Sequence, residues 1–354
     1  MMIEFEKVHL ALGDFKLEDI SFEIKRGEYF VIVGPSGAGK TIIIEAIAGL
    51  HRPDRGRILV RGQDVTTLPP EKRRISLVYQ DYSLFPHLNV FENVAYGLRR
   101  LGRPKDEIER EVGKMLERFG ITSLKDRNPL TLSGGEQQRV AIARSIIVNP
   151  EILLMDEPFS ALDPVSRDSF ISDIKLIQLE EGLTIVQVSH SRDEVYALAD
   201  RIAVIIDGKM ECIGGLGDIF DRPATIKTAK FTGIENMLKG AVVSKENGLA
   251  VINVSGIEIT AVTDMEAGEK VMACIKGTDI TLLKGYGEDS SARNRFLGKV
   301  ADIHFNGPVA RIGIDCGFYI VAVITDRSVN ELGIKKGQDI GISFKATEVH
   351  VIRE

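Results

Sequence analysis

The chain carries Gly34-Pro35-Ser36-Gly37-Ala38-Gly39-Lys40-Thr41 near its start, a stretch that fits the phosphate-binding pattern G-x-x-x-x-G-K-[ST]. Before it, Tyr29-Phe30-Val31-Ile32-Val33 is a short apolar, β-branched run that reads as a buried strand. After it, Ile42, Ile43, Ala46 and Ile47 fall at helical spacing and continue to Gly49. Strand, glycine loop and helix thus stand in the order the motif requires. The glycines let backbone N–H groups converge on phosphate oxygens, and the helix start favours negative charge. Lys40 is placed to reach β- and γ-phosphates, and the Thr41 hydroxyl to take a place on Mg²⁺. A glycine-rich turn beside a chance lysine is the bland alternative, and both flanks weigh against it.

Outward from this loop, 354 residues suggest two domains. A hydrophobic content of 44% with 27% charged residues is that of a globular protein. The net charge of -6 gives no general basic footprint for nucleic acid. Cys212, Cys274 and Cys316 lie far apart with no C-x-x-C pair, which argues against a zinc site or disulfide framework and fits a reducing cytoplasm. The opening Met1-Met2-Ile3-Glu4-Phe5-Glu6 does not read as a signal peptide. No apolar run approaches the roughly 20 residues that cross a bilayer, so service to a membrane is expected through a partner.

Residues 2–26 read as an antiparallel hairpin region, with period-2 alternation in Ile20-Ser21-Phe22-Glu23-Ile24. Residues 57–62 and 75–79 read as strands, the second with Gln80 at its end. Residues 88–120 read as helical, within a solvated subdomain over about 88–150. Leu132-Ser133-Gly134-Gly135-Glu136-Gln137 opens a helix with the S-x-x-E capping pattern, and its glycines leave unpaired N–H groups that suit an anion. Taken alone, any capped helix offers as much. Ile152-Leu153-Leu154-Met155-Asp156-Glu157 is an apolar strand ending in two carboxylates; beside a phosphate loop the first suits Mg²⁺ and the second suits a water. Asp163 reads as an N-cap with Pro164 at the first helical position. Residues 184–190 form one more strand that ends at His190. A lone histidine is usually structural, yet polar groups at the ends of several parallel strands line the crevice where α/β sheets bind ligands.

Together these motifs resemble the nucleotide-binding subunit of ABC (ATP-binding cassette) transporters over residues 1–232. The resemblance implies an α/β P-loop cassette with a RecA-like core, an antiparallel β subdomain and a helical subdomain. It implies a homodimer with ATP and Mg²⁺ between two subunits, one supplying residues 34–41 and the other presenting Ser133, Gly134 and Gly135 to the γ-phosphate. It further implies Lys40, Glu157 and His190 as catalytic residues, Glu157 being the general base or water-positioning group. Thr41, Gln80 and Asp156 would serve Mg²⁺, and Gln137 and Asp163 would join the nucleotide site. Residues 80–87, with Tyr82, Leu84, Phe85, Pro86 and His87, would meet a membrane subunit. Members of the family stack an aromatic on adenine near residue 12; here Leu12 holds that position and Phe15 is the expected substitute.

Beyond residue 233 the texture turns to short alternating runs with Gly turns, an all-β, OB-like barrel of regulatory character. An internal repeat divides it at about 235–286 and 288–354. GEKVMACIKGTDITLLK at 268–284 aligns without a gap on GQDIGISFKATEVHVIR at 337–353, and Asn236-x-x-x-Gly240 echoes Asn294-x-x-x-Gly298. The run Ser290-Ser291-Ala292-Arg293-Asn294 with Lys345 and Thr347 resembles the molybdate-binding barrel of molybdate and tungstate importer ATPases. A tetrahedral dianion needs N–H, O–H and cationic donors; Ser291, Arg293, Lys345 and Thr347 would supply them. The expected function is therefore an ATPase that energises import of molybdate or tungstate through two permease subunits, at the cytoplasmic face of the membrane, with an extracellular oxyanion-binding protein upstream and no nucleic acid. The alternatives are an importer ATPase for sulfate, polyamine, iron or sugar with a barrel that senses nothing, and a soluble ABC ATPase of nucleic-acid metabolism.

Overall fold

The structure, a computed structural model, describes residues 1–285 and 291–354, with Val165 described by its backbone alone. It divides into two compact units, Met1–Gly217 and Asp218–Glu354.

In the first unit, β1 (Ile3–Leu12) and β2 (Phe15–Ile24) form the hairpin, in register from Ile3 opposite Ile24 to Leu12 opposite Phe15. β3 (Tyr29–Val33) leads through the glycine loop into α1 (Lys40–Ala48). β4 (Arg55–Val60) and β5 (Gln63–Asp64) then complete an antiparallel sheet of order β2-β1-β4-β5. After α2 (Pro70–Arg73) and β6 (Ser76–Val78) come three helices, α3 (Val90–Arg100), α4 (Lys105–Arg118) and α5 (Gly134–Ile146). The chain then alternates through β7 (Ile152–Asp156), α6 (Pro164–Glu181), β8 (Thr184–Val188) and α7 (Arg192–Leu198), and closes with β9 (Arg201–Ile206) and β10 (Lys209–Gly214).

The second sheet runs β10-β9-β3-β8-β7-β6, parallel except for β10. Every residue of β3, β7 and β8 is buried, as expected of parallel strands covered on both faces. All-parallel order also puts the ends of β3, β6, β7 and β8 on one edge, where the phosphate loop, Gln80, Asp156-Glu157 and His190 emerge.

Arg73, the middle residue of Lys72-Arg73-Arg74, has a fully buried side chain between two exposed neighbours. Its guanidinium donates to the carbonyls of Ala46 (2.7 Å), Ile47 (2.9 Å) and Leu68 (2.9 Å). The first two belong to the last turn of α1, whose carbonyls lack intrahelical donors. The helix that starts at the phosphate loop is therefore fastened at its far end by a buried cation, and burial holds the pKa of that guanidinium below its usual value.

In the second unit, α8 (Ile226–Phe231) precedes β11 (Asn236–Glu246), β12 (Leu249–Val254), β13 (Ile257–Val262), β14 (Lys270–Ile275) and β15 (Thr281–Leu283). The same plan recurs as β16 (Asn294–Asn306), β17 (Val309–Asp315), β18 (Tyr319–Thr325), β19 (Asp339–Phe344) and β20 (His350–Arg353). The second copy differs by a helix, α9 (Asp326–Leu332), capped by the Thr325 side chain. The two sheets of the unit are antiparallel throughout, as expected of an all-β barrel, and α9 is an addition of the second copy.

Each copy lends its last strand to the other: the two sheets are β13-β12-β11-β14-β20 and β15-β19-β16-β17-β18. Side chains from both sheets, among them Ile252, Ile275, Ile312 and Phe344, share one core. In both copies a 3-10 turn, Gly277–Asp279 or Ala346–Glu348, joins the fourth strand to the exchanged one.

Candidate active site

The phosphate loop is held by the lysine expected to bind its ligand. Lys40 Nζ donates to the carbonyls of Gly34 and Pro35, each at 2.9 Å, and its side chain is almost wholly buried. Burial lowers its pKa, and the nearby carboxylates of Glu157 and Asp156 counter that. Gly39 caps α1 at φ 97°, a left-handed conformation that favours glycine. A Cβ there would meet the Phe15 ring at 2.5 Å, so the ring lies directly against the loop. Phe15 is half-buried, and Leu12 opposite it is exposed. Thr41 Oγ1 donates to Asp156 Oδ2 at 2.8 Å. Burial raises the Asp156 pKa, that hydroxyl lowers it, and the Glu157 and Glu45 carboxylates raise it further.

Glu157 follows the end of β7 at φ 45°, a left-handed conformation that costs a residue with a side chain about 1–3 kcal/mol. Its N–H still donates to Val188 O of β8 at 3.1 Å, so the strain turns the carboxylate while the sheet contact is kept. That carboxylate lies 3.2 Å from Nδ1 of His190, whose ring is 64% exposed and open to an incoming group. Gln80, two residues past β6, is exposed at the same sheet edge.

Ser133 caps α5: its Oγ accepts the Glu136 N–H at 3.3 Å, and Glu136 Oε2 accepts the Ser133 N–H at 2.7 Å. The Ser133 N–H and the Ser133 hydroxyl, which also donates to Glu136 Oε2 at 2.9 Å, lower the Glu136 pKa. A Cβ on Gly134 would press on Ala161 at 3.1 Å and one on Gly135 on Leu162 at 2.7 Å, so the loop before Asp163 packs on this helix start. Asp163 caps α6 by accepting the Ser166 N–H at 3.1 Å, with Pro164 at the first helical position. The Gln137 amide donates to the carbonyls of Pro129 (3.0 Å) and Leu132 (3.3 Å) and so shapes the turn leading to Ser133.

The same chemistry in the same order recurs in known proteins. The ABC transporter family matches residues 17–160, and the TOBE domain matches residues 290–351. The molybdate/tungstate import ATP-binding protein WtpC of Pyrococcus horikoshii is 42% identical over 99% of both chains. The chain belongs to the ABC transporter ATPase family.

The spermidine/putrescine import ATP-binding protein PotA of Oleidesulfovibrio alaskensis is 40% identical over 75% of this chain and 72% of its own length. A solved dimeric ATP-binding cassette, in a post-hydrolysis state with ADP and Pi, superposes with a TM-score of 0.56 at 29% identity, covering 61% of this chain and 99% of that one. As an ABC ATPase the chain works with ATP and Mg²⁺. Among the described residues, no helix is long and apolar enough to cross a membrane.

Two parts of this ABC ATPase site were not visible in its motifs. Arg144, on the far side of the signature helix α5, donates to the carbonyls of Tyr82 (3.0 Å) and Ser83 (2.9 Å) and lies 5.0 Å from the Phe85 ring centroid. Tyr82 and Ser83 have φ of 61° and 41°, so this clamp holds two strained residues just after Gln80. The other part is a buried chain of side chains behind His190. The Tyr29 hydroxyl donates to Gln187 Oε1 (2.5 Å), Gln187 Nε2 to Glu194 Oε2 (3.0 Å), and Ser189 Oγ to the same oxygen (2.6 Å). Ser189 Oγ in turn accepts the Ser191 N–H at 3.0 Å, so both neighbours of His190 are tied down. Burial raises the Glu194 pKa and the Ser189 hydroxyl opposes it. Glu194→Ala leaves these donors unpaired and should lower kcat about tenfold through a misplaced His190, with KM for ATP little changed. Glu194→Gln, which keeps an acceptor, should restore most of the rate. Equal losses in the two variants by steady-state ATPase assay would count against a positioning role.

In the second unit, strand register sets Asn294 opposite Phe344, which brings Arg293 beside Lys345 at the strand ends. Ser291 lies two residues earlier, while Ser290 of the same motif is outside the described residues. Thr347 lines a 550 Å³ cavity with Lys276, Asp279, Asp264 and Glu348, and Lys345, Arg293 and Ser291 do not.

Proposed function

We propose that this ABC ATPase energises import of molybdate or tungstate, as a homodimer bound to two permease subunits at the cytoplasmic face of the membrane. The observation that carries the reading is the 42% identity to a molybdate/tungstate import ATP-binding protein along 99% of both chains, which takes in the C-terminal unit. Residues 80–87 are the surface offered to the permease. There Phe85 packs against Tyr96, ring centroids 4.5 Å apart and planes tilted by 43°, and Tyr96 is itself 40% exposed, a pair that suits an apolar helix.

Within the site, Lys40 exchanges its two carbonyl partners for β- and γ-phosphate oxygens, and Phe15 offers its ring to adenine. Thr41 and Asp156, a hydroxyl and a carboxylate oxygen 2.8 Å apart, form the hard oxygen donor set that fits Mg²⁺, with Gln80 closing from the adjacent strand end. Mg²⁺ held by Thr41 and Asp156 would supply positive charge against the charge that develops on the transferred phosphoryl group. Glu157 orients the attacking water and takes its proton, and His190 donates to the γ-phosphate while Glu157 fixes its ring. Ser133, Gly134 and Gly135 reach the γ-phosphate of the partner's site, so turnover requires closure of the dimer.

The C-terminal unit would bind the same oxyanion through Ser291, Arg293, Lys345 and Thr347 and restrain closure when the ion is abundant. Deleting the gene and following uptake of labelled molybdate, tungstate, sulfate and spermidine tests the substrate class. Loss confined to the first two is expected. Loss of spermidine uptake alone would move the chain to the polyamine importers.

A further inference from the structure

The two copies in the C-terminal unit differ where their shared plan carries charge. Asn236 opens β11 and Asn294 opens β16, and each bridges to the other copy. Asn236 Oδ1 accepts the Val321 N–H (2.6 Å) and its Nδ2 donates to Val321 O (2.9 Å). Asn294 Oδ1 accepts the Thr260 N–H (2.7 Å) and its Nδ2 donates to Thr260 O (2.9 Å). With Ile275 opposite Asn236 and Phe344 opposite Asn294, the correspondence is fixed residue by residue: Glu235 with Arg293, Lys276 with Lys345, Gly277 with Ala346. Thr260 pairs with Val251 and Val321 with Gly313, which matches Leu249 to Arg311.

At the first copy's position the charges are satisfied by other residues of the same chain. The Glu235 carboxylate accepts the Gly277 N–H and Nη2 of Arg311, each at 3.0 Å, and its side chain is only 17% exposed. Lys276 pairs with Asp221. At the second copy's position Arg293 stands in place of Glu235, Lys345 is exposed beside it, and Leu249 of the first copy stands in place of Arg311. Among the described residues, Arg293 and Lys345 have no ion-pair partner, and the N–H of the buried Ala346 has no acceptor. Two cations and that N–H are the complement of an anion.

We propose that Glu235 is a built-in occupant of the first copy's anion position, so that each chain offers one open oxyanion position, in the second copy, rather than two. The inference rests on the regulatory reading above. A carboxylate and a tetrahedral oxyanion present the same feature to N–H donors, acceptor oxygens carrying negative charge. Being tethered, Glu235 acts at an effective concentration on the order of millimolar, so a free ion must outbid it to enter. Among the described residues the second copy holds no such competitor, and its position stays responsive to the ion in solution.

Calorimetric titration of the full chain with sodium molybdate and sodium tungstate tests this. One ion per chain is expected for the natural sequence. Glu235→Ala frees the Gly277 N–H and Arg311 and should bind two. Glu235→Gln, whose amide oxygen keeps the N–H bonded, should stay at one. Arg293→Glu places the carboxylate in the second copy and should bind none. A cooperative melt in each variant verifies folding. Two ions bound by the natural chain, or one ion bound by a folded Glu235→Ala variant, would overturn the inference and leave the regulatory reading standing. No binding by the natural chain or any variant would overturn both.

Discussion

Glu157→Gln should reduce ATP turnover by about 10²–10³-fold, the range for loss of a positioned general base, while ATP binding persists. The geometry makes both halves of this expectation. Glu157 sits in a left-handed turn that aims its carboxylate toward His190, and nothing in its backbone bonding depends on the charge. Glutamine has the same shape, keeps the contact with His190 and keeps the N–H bond to Val188. What it lacks is the ability to take a proton. Binding should tighten, because the carboxylate lies among the negative charges that the site must tolerate: it already raises the Asp156 pKa. Removing it lessens repulsion against the γ-phosphate.

The readout is therefore a split. Single-turnover hydrolysis falls steeply, the dissociation constant for ATP drops or holds, and an ATP-dependent dimer becomes long-lived by gel filtration. Turnover within threefold of the natural enzyme would show that the base lies elsewhere. His190→Ala is the companion measurement. It removes the group that Glu157 orients and should slow turnover without producing the stable dimer, since the base is retained.

The fold was legible where structure follows from neighbouring residues. The phosphate loop, both capping patterns at Ser133 and Asp163, and the apolar strands ending at Val33 and Asp156 are local, and the chain forms them as its sequence dictates. Groups whose meaning depends on partners far along the chain were not legible. Arg73 carries no local sign of its role, because its acceptors on α1 sit some 26 residues away. The chain from Tyr29 through Gln187 and Ser189 to Glu194 joins β3, β8, the loop after it and α7, and no one segment displays it. Gln137 lies inside the signature, and the bond of its amide to the turn before it joins residues that no single pattern links. The exchange of β15 and β20 between sheets escaped for a different reason. Strands of three and four residues carry too little periodicity to announce a partner.

A second large effect should appear only when two inactive proteins are mixed. Lys40→Ala removes the cation that braces the loop through Gly34 and Pro35, and with it the charge that meets the phosphates. Gly135→Asp leaves the loop intact but puts a carboxylate on the helix start offered to the partner's γ-phosphate. Its Cβ would press only on the terminal methyl of Leu162, which can swing aside, so folding should survive. Each variant alone should be nearly inactive, since a homodimer repeats the defect at both sites. In a heterodimer one composite site pairs the intact loop of the Gly135→Asp chain with the intact helix start of the Lys40→Ala chain, while the other carries both defects. Random 1:1 mixing of two-fold dimers makes half of them hybrid, each with one good site of two, so turnover should recover to about a quarter of the natural rate. If the site were complete within one chain, mixing would restore nothing. A mixture as inactive as its components, with hybrids isolated through two affinity tags, would remove the composite site from the mechanism and with it the reason for placing control at dimer closure.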